Sequence, residues 1–543
     1  MHPFTTSHNT RAFWRVAIGQ TALAAAAAVA TLSVHAQTAE CGALAAAAPR
    51  GVTLKTEAIA GNTTRPPGTT TGDLLAAHCV VSGRMTERTG VDGKPYYIGF
   101  ELRLPSQWNG RFLYQGGGGN DGIVQPAIGA RASTGYALNQ GFAVVSTDAG
   151  HQGPSAIFGL DPIARTDNAY NAHDKVAVLA KELVRTYYAK PADKSYFIGC
   201  SGGGRQGMMF TQRFPSYFDG VIAIAPAMRV SSGATIAAAW DSQALMSIAP
   251  TAADGKKILS QALTNGDLQL LGKGILDACD AQDGVVDGMV SNPAACKFDP
   301  AVLQCRGDKT DSCLSAPQVN AVKKIFGGAT NSAGQKLYTG WPYDPGIGNP
   351  QNDWRAWKLG TSTTAEPNSR HVFLMQDALR YYFTTPPDPL FDIFGFNFDR
   401  DPARMEAHSW IFDTAQDAQL TAFKARGGKL LFAHGLADPI FSPLDTIDYY
   451  QRATATQGTP APDFARLFLI PGMGHCSGGA ATDRWDGLGA LVDWVEKGTA
   501  PERIVATGSS VFPGRSRPLC AYPRHAQYNG SGNIEDAANF SCR

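Results

Sequence analysis

From about residue 95 to residue 225 the chain alternates two kinds of segment, and this alternation constrains its fold more than any other feature. Short apolar runs that predict β-strands, such as 195–199 and 221–225, flank stretches with the apolar spacing of a helix, such as 174–188. The same alternation returns over 429–496. Such a pattern predicts a mostly parallel sheet that is covered by helices.

The region between these two parts has a different character. Residues 228–417 are rich in Gly, Pro, Asn, Asp and Trp and show no regular strand–helix alternation. The simplest interpretation is one α/β core interrupted by a large insertion. We therefore predict a first core part over 37–227, an inserted domain over 228–417, and a second core part over 418–543.

A candidate nucleophile lies between a predicted strand and a predicted helix. Gly199-Cys200-Ser201-Gly202-Gly203 matches the pattern G-x-S-x-G in the context which that motif requires. Glycines relieve the crowding of this strained turn, so Ser201 Oγ can project above the sheet edge. The Gly202 N–H, at the start of the helix, lies where an oxyanion would form. The alternative is a Gly-rich turn with a solvated serine.

The candidate acid and base follow the nucleophile in the chain, in the order that an α/β-hydrolase uses. Asp438 comes directly after a predicted strand, whereas its rivals Asp445 and Asp448 fall inside the next predicted helix. His475 lies in a Gly-rich loop after the following strand and is the predicted base. His434 is the main alternative base. We expect it to line the pocket beside the triad; the other interpretation is a hydrogen-bonded core histidine.

A run of four glycines at 116–119 follows an early predicted strand. We predict that the Gly117 N–H is the second oxyanion donor, beside that of Gly202, and the alternative is a flexible linker. In this arrangement His475 takes the proton of Ser201, the serine attacks an ester carbonyl, and water resolves the acyl-enzyme.

All ten cysteines follow residue 36, and an even number in an exported chain predicts disulfides. Short separations favour three local pairs, which are Cys279 with Cys296, Cys305 with Cys313, and Cys520 with Cys542. Four cysteines then remain, namely Cys41, Cys79, Cys200 and Cys476.

Two of these four flank the candidate serine and histidine. Cys200 precedes Ser201, and Cys476 follows His475. If the serine and histidine are close, Cys200 and Cys476 come within disulfide reach, with Cα atoms ~4.4–6.8 Å apart. The other two would then pair. The alternative is that Cys200, Cys476 or both are free buried thiols.

The first 36 residues have the features of a targeting segment. Arg11 and Arg15 precede an uncharged stretch over 16–34, and Val34-His35-Ala36 offers small residues for cleavage after Ala36. We predict a signal peptide over 1–36 and a secreted or periplasmic protein. Because no second long apolar run follows, we expect no membrane span in the mature chain. The alternative is an uncleaved membrane anchor.

The charge balance argues against one class of partner. The chain has 47 Lys and Arg and 46 Asp and Glu, a formal net charge of +1. Electrostatically driven binding of nucleic acid is therefore not expected.

Three acidic residues within eight positions predict a calcium site in the insertion. Asp280, Asp283 and Asp287 would supply side-chain oxygens, and Val285 and Met289 would supply carbonyls, to a hard cation with several oxygen ligands. The spacing is not that of an EF-hand, so the ion would be structural. The alternative is a solvated acidic turn.

With these residues established, the chain resembles the tannase and feruloyl esterase family over nearly the whole mature length. The resemblance rests on 199–203, on the segment 193–198, on the loop 471–479, and on the cysteine beside each of two triad residues. It implies an α/β-hydrolase core with a large lid over 228–417, the triad named above and structural Ca²⁺. It also implies hydrolysis of small esters of aromatic carboxylic acids.

Within the family, the ten-cysteine pattern is most similar to that of members that hydrolyse a monoester of terephthalic acid. This resemblance implies that Arg370 binds the free carboxylate of the substrate, as a guanidinium fork can. It also implies that Phe441 and His434 line the pocket of the aromatic acid. The alternative is an esterase for plant phenolic esters, that is, a feruloyl esterase or a tannase.

The chain departs from those members at several lid positions. Lys358 stands where they have a pocket tryptophan, and Leu374 where they have a pocket phenylalanine. Met375 and Ala378 replace two serines. These differences predict a weaker aromatic clamp on the substrate.

Overall fold

A nine-stranded sheet organises the protein in the computed structural model, which describes residues 41–350, 353–455 and 463–543. The predicted signal peptide lies outside these residues. In chain order the strands of this sheet are β1 (Val52–Ile59), β2 (His78–Thr89), β3 (Pro95–Pro105), β4 (Arg111–Gln115), β5 (Ala143–Thr147), β6 (Lys194–Cys200), β7 (Gly220–Ile224), β8 (Lys429–Gly435) and β9 (Ala465–Ile470). Their spatial order is β1-β2-β3-β5-β4-β6-β7-β8-β9.

The six strands β4 to β9 are parallel, and β1 to β3 form an antiparallel extension that joins them at β5. The helices in chain order are α1 (Pro162–Thr166), α2 (Ala172–Tyr188), α3 (Gly202–Arg213), α4 (Thr235–Ile248), α5 (Asn265–Cys279), α6 (Ala316–Gly327), α7 (Trp354–Lys358), α8 (Arg370–Asp377), α9 (Pro402–Phe412), α10 (Thr421–Ala425), α11 (Pro443–Ala455) and α12 (Gly487–Lys497). The predicted parallel sheet with covering helices is confirmed.

Helices cover both faces of the sheet, so its central strands are apolar on both sides. Successive side chains of β6 point to opposite faces. Phe197 packs in a cluster with residues of α2, α3 and α11, whereas Tyr196 and Ile198 pack against α12 residues that include Leu491 and Trp494. This double burial explains why the strands read as continuous apolar runs in the sequence.

The chain between β7 and β8 adds no strand to the described nine-stranded sheet. It forms helices α4 to α10, of which α4 to α9 contribute residues to one hydrophobic cluster. Ile440 and Phe441, from the loop after β8, belong to the same cluster. The insertion therefore packs directly on the loop that carries Asp438. The domain boundaries after residues 227 and 417 remain predictions.

Beyond β9 the chain forms a three-stranded sheet and a two-stranded sheet, whose strands are β10 (Arg484–Trp485), β11 (Arg503–Thr507), β12 (Ser516–Cys520), β13 (Ala526–Tyr528) and β14 (Phe540–Cys542). All ten cysteines are paired, as Cys41–Cys79, Cys200–Cys476, Cys279–Cys296, Cys305–Cys313 and Cys520–Cys542. The predicted disulfides are thus confirmed, and the free-thiol alternative for Cys200 and Cys476 is wrong. In the described parts of the chain, every helix is too short or too polar to cross a membrane.

Candidate active site

The turn between β6 and α3 holds Ser201 in a strained conformation. Its φ of 64° and ψ of −123° lie outside the regions that most residues adopt. The Ser201 N–H donates to the carbonyl of Ile224 at 2.9 Å. A Cβ on Gly199 would approach the Gly203 backbone to 2.5 Å, and a Cβ on Gly203 would approach Gly117 O to 2.6 Å. Only glycine fits at 199 and 203, which gives the sequence motif its physical reason.

Asp438 and His475 are joined by a short hydrogen bond. His475 Nδ1 lies 2.8 Å from Asp438 Oδ2. The other carboxylate oxygen accepts from the backbone N–H groups of Ile440 at 2.9 Å and Phe441 at 3.1 Å. The loop after β8 therefore fixes the carboxylate, and the carboxylate fixes the imidazole.

The charge state of Asp438 follows from its partners. Burial alone would raise the pKa of Asp438. The electrostatic interaction with His475 and hydrogen bonds from His434 and His475 outweigh that effect, and they hold the pKa of Asp438 well below its usual value. An ionised Asp438 keeps the proton of His475 on Nδ1, so Nε2 is the nitrogen that can accept another.

The Cys200–Cys476 disulfide holds the serine turn against the histidine loop. Its Cα atoms are 5.9 Å apart, and each cysteine is the direct neighbour of Ser201 or His475. Within the described residues, no hydrogen bond yet joins Ser201 Oγ to His475. Catalytic hydrogen bonds of this type often tighten only when a substrate is bound.

His434 lies behind the acid rather than on an open pocket wall. Its side chain has no exposed surface, Nδ1 lies 2.8 Å from Thr446 Oγ1, and Nε2 lies 3.0 Å from the Phe441 carbonyl. Nε2 is also 3.3 Å from Asp438 Oδ2. With both ring nitrogens engaged, the geometry favours the alternative of a hydrogen-bonded core histidine over the predicted substrate contact.

The prediction for the second oxyanion donor needs correction. The Gly117 N–H is already used, because it donates to Gln206 Oε1 at 3.1 Å. Gln206 also donates to Asp121 at 2.8 Å, and burial raises the pKa of Asp121 to about 7. The next amide, that of Gly118, has no hydrogen bond among the described residues. A Cβ on Gly202 would lie 3.4 Å from Gly118 Cα, so these two glycines face each other.

An aromatic wall from the insertion and the core encloses His475. The ring of Trp357 meets the imidazole edge to face, with centroids 5.5 Å apart, and Phe441 lies 5.4 Å away. Trp357 was not predicted as a site residue. Lys358, expected at the position of a pocket tryptophan, is buried in an ion pair with Asp241, and its neighbour Trp357 supplies the aromatic ring beside His475.

Arg370 packs on the ring of Trp357. Its guanidinium carbon is 5.5 Å from the centroid of Trp357, so it lies within 11 Å of the His475 ring, the sum of the two 5.5 Å separations. Its Nη1 donates to Asp353 at 2.6 Å, and 46% of the Arg370 side chain is exposed. Met375 and Ala378, also on the insertion, are buried in its hydrophobic cluster.

The acidic loop of the insertion has mixed features. Both carboxylate oxygens of Asp283 are buried, and no group of the described residues meets them in good hydrogen-bond geometry. Burial raises the pKa of Asp283 to about 6, against the weaker opposing effects of Ser291 and Val285. Asp280 accepts from the Gly288 N–H at 3.0 Å, and Asp287 pairs with Arg517. No group of three or more His, Cys, Asp or Glu side chains in the described residues is arranged to hold a metal. The uncompensated Asp283 carboxylate nevertheless fits a hard cation.

The parallel sheet, the strained serine turn and the Asp438–His475 pair define an α/β-hydrolase. The family profile described as "Tannase and feruloyl esterase" matches residues 79–543, and the chain belongs to this family. It is a carboxylic ester hydrolase. The predicted family and fold are therefore confirmed.

Two relatives and one solved structure show the similarity in detail. The chain is 44% identical to the mono(2-hydroxyethyl) terephthalate hydrolase of Piscinibacter sakaiensis, covering 88% of this chain and 86% of that protein. It is 32% identical to the probable feruloyl esterase B-2 of Aspergillus terreus, covering 82% and 83%. The crystal structure of feruloyl esterase B from Aspergillus oryzae superposes with a TM-score of 0.78 at 27% identity, covering 93% and 100%.

Proposed function

We propose that this protein hydrolyses monoesters of aromatic dicarboxylic acids, with mono(2-hydroxyethyl) terephthalate, which gives terephthalate and ethylene glycol, as the representative substrate. One observation carries the proposal: Arg370 packs on Trp357, and Trp357 packs on His475. A cation thus lies one aromatic ring away from the reacting centre. That position suits a substrate with an ester at one end of a benzene ring and a carboxylate at the other.

The mechanism follows from the geometry of the triad. His475 Nε2 accepts the proton of Ser201 as Oγ forms a bond to the ester carbonyl carbon. The backbone N–H groups of Gly202 and Gly118 stabilise the oxyanion. Because both donors are backbone groups, neither position requires a side chain. His475 then gives the proton to the leaving alcohol, and a water molecule, deprotonated by the same nitrogen, releases the acid and restores Ser201.

An esterase for plant phenolic esters is the second candidate. The relatives named as feruloyl esterases support it, and so does the aromatic wall of Trp357 and Phe441, which can contact any phenyl acyl group. The two candidates differ in whether Arg370 contributes to binding, because methyl ferulate and methyl gallate carry no carboxylate.

A matched panel of esters tests the proposal. We would measure kcat and KM of the purified protein on mono(2-hydroxyethyl) terephthalate, its uncharged bis-ester, methyl ferulate and methyl gallate. Ser201→Ala should abolish activity on all four. Arg370→Ala should raise KM for the monoester by about tenfold or more, since a charge-assisted hydrogen bond contributes ~1.5–3 kcal/mol, and should leave the neutral esters unchanged. A preference for methyl ferulate or methyl gallate that Arg370→Ala does not change would favour the second candidate.

We further propose that the loop holds structural calcium, with Asp283 as the central ligand and Asp280, Asp287, Val285 and Met289 completing the set. The two unpartnered oxygens of Asp283 support this. Chelation with EDTA should lower the melting temperature of the wild-type protein. It should leave that of Asp283→Asn unchanged. If EDTA does not change the melting temperature of the wild-type protein, the loop is a solvated acidic turn without calcium.

We also propose that the mature protein starts after Ala36 and is secreted or periplasmic. Five disulfides support an oxidising compartment. Mass spectrometry of the exported protein would show a mature N-terminus at residue 37, whereas retention of residues 1–36 would indicate an anchor.

A further inference from the structure

Asp353 is the one acidic side chain that contacts Arg370 in the described residues. It directly precedes α7, but its carboxylate does not cap that helix. Its only side-chain partner among the described residues is Arg370 Nη1, at 2.6 Å, and 48% of its side chain is exposed. The carboxylate therefore has no evident structural duty apart from this contact.

The contact leaves most of the guanidinium available. Arginine carries five N–H donors in a planar fork, and Asp353 takes only one nitrogen of it. An ion pair between half-exposed side chains contributes little to stability, so it opens or shares its cation readily. A second carboxylate that binds the same fork would then lie close to the Asp353 charge, and like charges at short range repel.

We propose that Asp353 is a specificity-determining residue, which weakens the attraction of Arg370 for anionic substrates and so narrows the preference of the site for charged over neutral aromatic esters. The inference rests on the proposed function, because it assumes that Arg370 meets the substrate carboxylate. In this arrangement Asp353 compensates the cation equally in the free enzyme and with a neutral ester bound, so it does not change the binding of neutral esters. It costs binding energy when a monoester anion is bound.

The test compares Asp353→Asn with the wild type on mono(2-hydroxyethyl) terephthalate and on its neutral bis-ester. Asparagine keeps the shape and removes the charge. We expect KM for the monoester to fall about fivefold, the ratio equivalent to the ~1 kcal/mol of two unit charges ~4 Å apart in water. The value of kcat should stay the same, and so should KM for the bis-ester. The gain should shrink as salt rises, since exposed charges are screened.

Asp377→Asn is the matched control. Asp377 lies on α8 with Arg370, pairs with Arg380 at 3.7 Å, and is exposed to a similar degree, 35%. The Asp377→Asn variant therefore removes an equal charge from the helix that carries Arg370, without removing a contact of Arg370. Asp353→Ser, which also removes the charge, should act in the same direction as Asp353→Asn.

The outcomes separate this inference from the proposed function. A KM for the monoester that stays the same or rises in Asp353→Asn, or that falls equally in Asp377→Asn, would overturn the inference even if Arg370→Ala abolishes the monoester preference. A wild type with no monoester preference, indifferent to Arg370→Ala, would overturn the proposed function itself.

Discussion

A fully buried ion pair inside the insertion offers the strongest energetic test of the structure. Lys358 Nζ, at the end of α7, lies 2.5 Å from Asp241 Oδ2 of α4, and the two side chains are 1% and 0% exposed. The ammonium also lies 4.7 Å from the ring centroid of Trp341 and 5.6 Å from that of Trp354. Burial raises the pKa of Asp241, against the opposing effect of Lys358.

Removing either partner leaves a buried group without its counter-charge. We expect Lys358→Met and Asp241→Leu each to lower the free energy of unfolding by about 3–5 kcal/mol. The double variant replaces the pair with apolar groups, which is often neutral or stabilising, so it should lie within ~1–2 kcal/mol of the wild type. The two changes are thus strongly non-additive, as expected for side chains in contact.

The assay is equilibrium unfolding in urea, followed by far-UV circular dichroism with the disulfides intact. Lys273→Met is the control, because Lys273 pairs with Asp277 at 2.6 Å but both side chains are more than 60% exposed. It should change stability negligibly. A double variant whose free energy of unfolding falls by the sum of the two single losses would refute the idea that each charge acts mainly by compensating the other.

Three further predictions concern the site itself. Gly203→Ala should lower kcat at least about tenfold on any ester that the protein accepts, because the new Cβ lies 2.6 Å from Gly117 O, whereas Gly202→Ala, with its closest contact at 3.2 Å, should cost less. Asp344 accepts from the Gly472 N–H at 3.0 Å, and burial raises its pKa to about 6. Folded Asp344 therefore keeps a proton that the unfolded chain releases near pH 4, so its contribution to stability should fall by roughly 3 kcal/mol from pH 4 to pH 7. Urea unfolding at both pH values should show a shallower fall in Asp344→Asn. Replacing Cys476 with serine should lower kcat more than it raises KM, since the disulfide positions His475 rather than the substrate.

For each of these predictions, one outcome would contradict the reasoning. Equal kcat values for Gly203→Ala and Gly202→Ala would show that the loop at Gly117 moves to accommodate the new Cβ at little energetic cost. Equal pH slopes for Asp344→Asn and the wild type would show that Asp344 titrates alike in both states. A rise in KM alone for Cys476→Ser would move the role of the disulfide to substrate binding.

The local part of the site could be predicted from the sequence. The turn at Ser201 needs glycine at fixed positions, and a short motif between a strand and a helix carries that requirement in adjacent residues. The positions of Asp438 and His475 follow from the order of parallel strands, because the loops after neighbouring strands meet at one sheet edge. The Cys200–Cys476 pair followed from the same proximity.

The parts that were missed depend on contacts between distant segments. The sequence alone does not distinguish Gly117 from Gly118 as a donor. Only the structure shows that Gln206 of α3 already accepts a hydrogen bond from the Gly117 N–H. Trp357 and Lys358 are adjacent, and the ion pair of Lys358 with Asp241, which lies more than a hundred residues earlier, leaves Trp357 as the residue beside His475. Strands β1 and β2 were not predicted, because many of their side chains are exposed and break the apolar pattern.

The Cys200–Cys476 bond has a consequence for biogenesis. The chain is made from its N-terminus, and 276 residues separate these cysteines, whereas only 17 and 8 separate the two pairs that lie between them. Cys200 is synthesised before Cys476, and four other cysteines are synthesised in the interval between them. A host that expresses the enzyme therefore needs an isomerase or a slow oxidation step, because an early error at Cys200 would leave the serine turn bound to the wrong part of the molecule.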